Sequence, residues 1–326
     1  MIITLKKNIS DKQIDEFCED WKQKGFGIHL SKGQDLTILG LLGDTSTLSA
    51  EQVSANPLVD SVQRISAPYK MANRSFHPEN TIIKVGKTSF GGKNIPVIAG
   101  PCSVETEEQV ISIAKDVKKA GATLLRGGAF KPRTSPYSFQ GLGAKGLEFL
   151  KTEKKETGLP IVTELMDIRQ LKYFDDVDVI QIGARNMQNF DLLKEMGKVQ
   201  KPILLKRGMA ATVKEFLMSA EYIMASGNEN VILCERGVRT FDNYTRNCLD
   251  VSIIPYLHKV SHLPIIVDPS HACGQRWMVG DLAKSAVACN TDGLIIEVHN
   301  NPEKALCDGE QSLHPTEFAQ VMKVLE

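Results

Sequence analysis

Four residues in this chain could hold a transition-metal ion between them: Cys102, His271, Glu297 and Asp308. One thiolate, one imidazole and two carboxylates make a donor set of mixed softness, suited to divalent manganese, iron, cobalt or zinc. Taken singly each has an ordinary explanation, since a lone cysteine is most often just a small buried residue. A second set is basic: Arg126, Lys131, Arg133, Arg185, Lys206, Arg207 and Arg236. Burying so many cations without anions is costly, and the nearby acids Glu164, Glu235 and Asp268 are too few to neutralise them. Guanidinium forks match phosphate and carboxylate oxygens two at a time. A ligand set carrying phosphates and a carboxylate would account for the excess. The segment 131–141, KPRTSPYSFQG, adds anion donors on a backbone stiffened by two prolines.

These residues recur at the ends of short apolar runs. PVIAG stops before Cys102, TLLR at Arg126, PIVTE at Glu164 and VIQIGAR at Arg185; PILLK, VILCER, PIIVDPSH and GLIIE then stop at Lys206, Arg236, His271 and Glu297. Stretches of helical length separate them, over 106–120, 146–156, 188–196, 212–225, 243–257, 279–288 and 316–325. Repeated β-α units predict an α/β chain folded as a (β/α)8 TIM barrel, whose active site lies at the C-terminal ends of its strands. Closure of the barrel makes the first, seventh and eighth strands adjacent, which gathers Cys102, His271 and Glu297, with Asp308 in the loop beyond. A doubly wound sheet is the alternative, and the even spacing favours the barrel.

Residues 1–66 read differently, as βαββαβ, the ferredoxin-like order of a small α+β domain. The strand Ile2–Leu5 precedes a helix capped at Ser10 with apolar positions Ile14, Phe17 and Trp21. Strands over 27–31 and 36–42 follow, joined by a turn at Lys32-Gly33-Gln34, then a short helix near Ser49 and a strand from Val59 to Ile65. Phe26, Ile28 and Leu30 face one way, leaving His29 and Ser31 on a polar face that could bind a small amphipathic effector. Residues 67–94 read as a linker and a barrel-closing hairpin, with Ile82–Val85 as one strand and the turn at Gly91-Gly92. The catalytic barrel is expected over 95–326.

Composition narrows the partners. With 39 basic and 39 acidic residues the net charge is zero, so no global field attracts nucleic acid or an anionic membrane. No apolar run approaches the roughly 18–20 residues of a membrane span, and MIITLKKNISDKQ lacks the apolar core of a signal peptide. Seven cysteines without CxxC spacing predict reduced thiols and a cytoplasmic protein.

The motifs carry a resemblance. Ala99-Gly100-Pro101-Cys102-Ser103, Lys131-Pro132-Arg133-Thr134-Ser135, Ile182-Gly183-Ala184-Arg185-Asn186, Leu205-Lys206-Arg207-Gly208, Cys234-Glu235-Arg236-Gly237, Asp268-Pro269-Ser270-His271, Ile296-Glu297-Val298-His299 and Asp308-Gly309 resemble the signatures of 3-deoxy-D-arabino-heptulosonate 7-phosphate (DAHP) synthase, type I beta. The likeness spans the whole chain. It implies condensation of phosphoenolpyruvate with erythrose 4-phosphate, the first step of the shikimate pathway, dependence on one divalent metal ion, and a homotetramer. By motif it implies Cys102, His271, Glu297 and Asp308 as metal ligands. Arg126, Lys131, Arg185, Lys206, Arg236 and the Ala184 backbone would hold phosphoenolpyruvate; Arg133 and Thr134 would hold the tetrose phosphate. Lys131 would donate a proton and Glu164 would act near the reacting water. It further implies feedback inhibition by an aromatic amino acid through the N-terminal domain. The chain departs from the common pattern at Cys273 and Cys307, where serine or glycine is usual; Cys307, beside Asp308, is expected to approach Cys102 when no metal is bound.

Three rival readings remain open at this level. A 3-deoxy-D-manno-octulosonate 8-phosphate synthase would take arabinose 5-phosphate, but that family typically shows Lys-Ala-Asn-Arg-Ser where this chain has residues 131–135. A Schiff-base aldolase would use Lys206 without metal. A noncatalytic sensor of phosphorylated ligands would be expected to lack one of the four metal donors, and all four are present.

Overall fold

The protein is described from a computed structural model covering residues 1–33, 36–45, 47–64 and 67–325; Gln34 of the expected turn and Ile65 at the end of the expected strand lie outside the described residues. The chain divides into two compact units, residues 1–80 with 259–262, and residues 81–258 with 263–326.

In the first unit β1 (Ile2–Leu5), α1 (Asp11–Gln23), β2 (Gly27–Lys32), β3 (Thr37–Leu42), α2 (Ala50–Ser54) and β4 (Val59–Gln63) follow in the ferredoxin-like order. The sheet runs β2-β3-β1-β4, with antiparallel pairing throughout. Helix α1 starts where it does because Ser10 and Gln13 form a capping box, each side chain bonding the other's backbone N–H. Its buried residues Ile14, Phe17, Cys18 and Trp21 fall at helical spacing and pack on Ile3, Leu5, Leu39 and Leu41, with Phe26, Ile28 and Leu30 against the same cluster. The opposite sheet face, read from sequence as polar, is occupied by the chain's own Phe76, fully buried among Ile2 and Ile38. Gly40 makes room for it, since a Cβ there would run into the Phe76 ring.

The second unit opens with a hairpin, β5 (Ile83–Val85) and β6 (Thr88–Phe90), paired Ile83 to Phe90 and Val85 to Thr88. Its turn lies at Gly86-Lys87, with Gly86 at φ 57°, not at Gly91-Gly92 as the sequence suggested. Gly91 instead turns the chain out of the hairpin, tight against the Thr81 carbonyl. Eight parallel strands then close a barrel: β7 (Val97–Gly100), β8 (Leu124–Arg126), β9 (Ile161–Glu164), β10 (Val179–Ile182), β11 (Ile203–Lys206), β12 (Val231–Glu235), β13 (Ile265–Val267) and β14 (Leu294–Glu297), with β14 paired to β7. Nearly every strand residue is buried, as a parallel sheet covered on both faces requires. The hairpin residues Ile83, Val85 and Phe90 join Ile98, Leu124, Val162, Val179, Leu204, Ile232, Ile266 and Ile295 in one core. Most of these are first or second residues of their strands, so the hairpin plugs the N-terminal end and leaves the other end for chemistry.

Helices α3 (Glu107–Lys119), α4 (Ala144–Thr157), α5 (Phe190–Gly197) and α6 (Val213–Ala225) follow β7, β8, β10 and β11. After β9 the helix slot holds only a 3-10 stretch, Ile168–Tyr173. After β12 the helix expected over 243–257 shrinks to α7 (Ile253–Val260). The preceding segment is irregular and is held by nonlocal backbone bonds: Val238 and Cys248 pair with each other, Arg246 N donates to Cys273 O, and Asn247 N to Ala272 O. A short α8 (Pro269–Cys273) caps the end of β13; α9 (Val279–Ala288) and α10 (Pro315–Leu325) complete the ring.

Candidate active site

The strand ends deliver their side chains to one mouth. Gly100, at the end of β7, sits at φ 150° with the Arg126 carbonyl where a Cβ would be. Only glycine lets β7 and β8 approach this closely, and the approach sets Cys102 beside the products of β8. Arg126 Nε donates to Pro101 O at 3.2 Å, and its Nη2 lies 3.0 Å from Glu297 Oε1. Lys131 reaches back from the next loop, its Nζ donating to Cys102 O at 2.9 Å and lying 3.0 Å from Cys102 Sγ. Arg133 donates to Cys307 Sγ.

The residue Asp268, at the N-cap of α8 and fully buried, organises the far side. Its Oδ1 accepts from the His271 backbone N–H at 2.9 Å, and its Oδ2 lies 2.7 Å from His271 Nδ1 and pairs with Lys206. Placing the imidazole proton on Nδ1 leaves Nε2 facing Glu297 Oε1 at 3.4 Å and Asp308 Oδ2 at 3.9 Å. This is the arrangement that orients a metal-ligating histidine. Glu297 Oε2 accepts from Gln311 Nε2 at 2.6 Å, and Arg246 Nη1 donates to Gln311 Oε1 at 2.9 Å while lying 3.5 Å from Asp308 Oδ2.

A cleft of about 360 Å³ opens onto these groups. Of the residues chosen from sequence, Lys131, Arg133, Thr134, Glu164, Ala184, Arg185, Lys206, Arg236, His271 and Asp308 line it. Cys102 and Glu297 are buried and touch that lining through Lys131 and His271, and the buried Arg126 reaches it by way of Glu297. Arg207 is different: Glu235 and Asp250 neutralise it at 2.9 and 3.0 Å, so it is a structural ion pair. Sequence reading missed Gln181, Arg239, Arg246 and Asn247, which also line the cleft, whereas Cys307, expected to approach Cys102, lines it and lies 3.2 Å from Cys102 Sγ. Two more arginines within ten residues of Arg236 were the available signal for part of that set. In the first unit, His29 tilts against Phe76 with ring centroids 6.3 Å apart. A cleft of about 210 Å³ there is lined by Lys6, Lys7, Asn8, Gly33 and Thr37 among others, and includes neither His29 nor Ser31.

The charges follow from burial and neighbours. Burial alone would push the Lys131 ammonium down, but Cys102 and Cys307 outweigh it and hold the pKa above the usual lysine value. The Cys102 thiol is raised well above its ordinary value by the hydrogen bond it donates to Cys307 and by burial; the same bond draws Cys307 down. Burial would raise Asp308, yet His271, Arg246 and Lys131 bring it to about 2. Glu164 is raised by burial despite the surrounding cations, and its carboxylate fits because residue 183 is glycine; a Cβ there would collide with Glu164 Oε1. Burial lowers the His271 imidazole below its ordinary value, against the pull of Asp268 and Glu297. Two groups, Cys102-Cys307-Asp308 and His271-Glu297-Asp308, each bring all their ligand atoms within 4.8 Å of one another. Glu297 Oε1, though buried, accepts no hydrogen bond among the described residues.

A closed (β/α)8 barrel with a thiol, an imidazole and two carboxylates beside a cationic cleft defines a barrel enzyme for anionic substrates. Residues 80–326 match the DAHP synthetase I family, and residues 1–67 match the DAHP synthase ferredoxin-like domain. The chain belongs to the DAHP synthetase I family. It is 47% identical to phospho-2-dehydro-3-deoxyheptonate aldolase of Thermotoga maritima over 327 residues, which cover 100% of this chain and 97% of that protein. A crystal structure of the Thermotoga maritima enzyme superposes with a TM-score of 0.79 at 46% identity, covering 99% of this chain and 95% of that one. The 2-dehydro-3-deoxyphosphooctonate aldolase of Syntrophotalea carbinolica is more distant, 31% identical over 74% of this chain and 93% of that protein. No helix of the described residues is long and apolar enough to cross a membrane.

Proposed function

We propose that the chain condenses phosphoenolpyruvate with D-erythrose 4-phosphate and water to give 3-deoxy-D-arabino-heptulosonate 7-phosphate and phosphate. The observation that carries this reading is that Arg133, Arg185 and Arg236, none of which forms an ion pair with a carboxylate among the described residues, line one cleft with His271 and Asp308, behind which Cys102 and Glu297 are buried. The greater likeness to the heptonate enzyme than to the octonate enzyme favours the tetrose over arabinose 5-phosphate.

In this reading Cys102, His271, Glu297 and Asp308 hold one divalent ion, of manganese, iron, cobalt or zinc. The donors suit it: the ligand atoms are gathered, the histidine is pre-oriented, and a buried carboxylate oxygen is left without a hydrogen bond. A bound ion supplies Lewis acidity toward a carbonyl oxygen. The residues do the rest. Arg126, Arg185, Lys206 and Arg236, with the Ala184 backbone, hold the phosphate and carboxylate of phosphoenolpyruvate, while Arg133 and Thr134 hold the tetrose phosphate. C3 of phosphoenolpyruvate attacks the aldehyde carbon. Lys131, kept protonated by its neighbours, gives its proton to the oxygen that becomes a hydroxyl. Glu164, with its pKa raised, accepts one proton from the water that adds at C2; as the bond from C2 to the phosphate oxygen breaks, the new hydroxyl becomes the keto oxygen and its remaining proton leaves with the phosphate. Mass and NMR analysis of the product tests this. A seven-carbon keto acid phosphate is expected, and preferential formation of the eight-carbon homologue from arabinose 5-phosphate would overturn it.

We also propose that residues 1–66 carry feedback control by an aromatic amino acid, supported by the match of residues 1–67 to the family's ferredoxin-like domain. Inhibition by tyrosine or phenylalanine should vanish when the first 70 residues are removed. Inhibition that survives the deletion would refute it.

A further inference from the structure

Cys307 lies closer to the metal donors than its absence from the four-donor set suggests. Its Sγ is 3.2 Å from Cys102 Sγ, which is itself 3.3 Å from Asp308 Oδ2. The ligand atoms of Cys102, Cys307 and Asp308 lie within 4.8 Å of one another, as do those of His271, Glu297 and Asp308, so Asp308 joins the two groups. Neighbouring residues in extended chain point to opposite sides. Here the backbone prevents that: Asp308 adopts a left-handed conformation, φ 51° and ψ 37°, which aspartate enters more readily than most residues with a Cβ. The turn sends the sulfur of residue 307 and the carboxylate of residue 308 to the same place. Gly309 completes it, since a Cβ there would run into the Pro302 carbonyl.

We propose that Cys307 is a second thiolate donor to the bound metal, making this a two-sulfur site; the inference rests on the metal-site reading above. Two sulfurs each about 2.3 Å from one ion stand about 3.3 Å apart when they subtend a right angle at it and about 3.8 Å apart at the tetrahedral angle. The observed 3.2 Å therefore needs at most about half an ångström of opening to admit an ion. A disulfide, at about 2.05 Å, would need more than 1 Å of closing, so the cluster stands nearer to metal-holding geometry than to a bonded pair. Each sulfur also has a cation beside it, Lys131 at Cys102 and Arg133 at Cys307. A second thiolate softens the donor set and shifts its preference toward zinc and away from manganese.

Cobalt substitution of the full chain tests this, because the near-ultraviolet thiolate-to-cobalt band grows with the number of sulfurs bound. Cys307→Ser is expected to lose about half of the band and to bind zinc less tightly, with manganese affinity largely kept; Cys102→Ser should keep the other half. If Cys307→Ser retains the parent's full band while Cys102→Ser abolishes it, Cys307 is no donor and a one-sulfur site stands. If the parent shows no thiolate band at all, the metal-site reading falls as well. X-ray absorption on the zinc-loaded parent needs no substitution: two sulfurs in the first shell support the proposal, and one sulfur overturns it.

Discussion

Asp268→Asn removes one negative charge from the point on which the site's orientation depends. The parent carboxylate is fully buried. Burial alone would raise its pKa, yet His271 and Lys206 together hold it well below the ordinary range. Asparagine keeps the shape but leaves Lys206 without its counter-ion and can no longer accept from His271 Nδ1 while also facing an ammonium. Taking one partner from a buried ion pair costs about 3–5 kcal/mol. The imidazole also loses the bond that turns Nε2 toward Glu297 and Asp308, at 3.4 and 3.9 Å. Loss of such an orienting partner typically lowers metal affinity by about 10–100-fold, equal to roughly 1.4–2.7 kcal/mol. Two assays separate the effects: denaturant unfolding of the metal-free chain gives the stability cost, and competition with a chromophoric chelator gives the affinity. A variant that binds metal within about twofold of the parent, and unfolds at the same midpoint, would show that the Asp268 geometry does not govern the site.

Further predictions follow from individual contacts. Gly183→Ala should displace Glu164, whose carboxylate occupies the space of the new Cβ; turnover is expected to fall by about 10²-fold or more, as for loss of a general base, with KM for phosphoenolpyruvate little changed. An unchanged turnover number would remove Glu164 from the water step. Glu153, buried on α4, has its pKa raised by burial to about 7 from an ordinary 4.5. The folded state therefore holds that proton more tightly, and its contribution to stability is complete below pH 4.5 and lost as pH rises through 7. Glu153→Gln should then gain up to about 3 kcal/mol over the parent at pH 8 and little at pH 4; parallel pH curves for the two proteins would contradict this. Because the Cys102 thiol keeps its proton, hydrogen-bonded to Cys307, when no metal is bound, loading must release protons and affinity must fall as the pH falls. A titration in weak buffer that shows no proton release would argue against thiolate ligation.

Much of the barrel could be read in advance because its signal is local. Each strand is a short apolar run ended by a charged residue, and TIM-barrel closure alone places His271 and Glu297 beside Cys102. The placement of Arg246 and Asn247 could not be read that way. Their segment has helical length, but it is held by backbone bonds to Ala272 and Cys273 and by the pairing of Val238 with Cys248, partners that no local pattern announces. The fate of Arg207 was hidden for the same reason, since Asp250 reaches it from forty-three residues along the chain. In the first unit the alternation of Phe26, Ile28 and Leu30 identified the core face of β2, whereas Phe76, which covers the sheet's other face, arrives from outside the periodic region. The hairpin turn fell to Gly86 because Gly91 serves a close approach to Thr81 instead.

The proposed reaction is a metal-dependent condensation in which cleft cations choose the shorter sugar phosphate. The most direct measurement follows phosphate release from phosphoenolpyruvate by the full chain, stripped of metal and then restored, with erythrose 4-phosphate in one arm and arabinose 5-phosphate in the other. Release is expected only with metal present, and far faster with the tetrose phosphate. Undiminished release after exhaustive chelation, or faster release with the pentose phosphate, would overturn the proposed reaction.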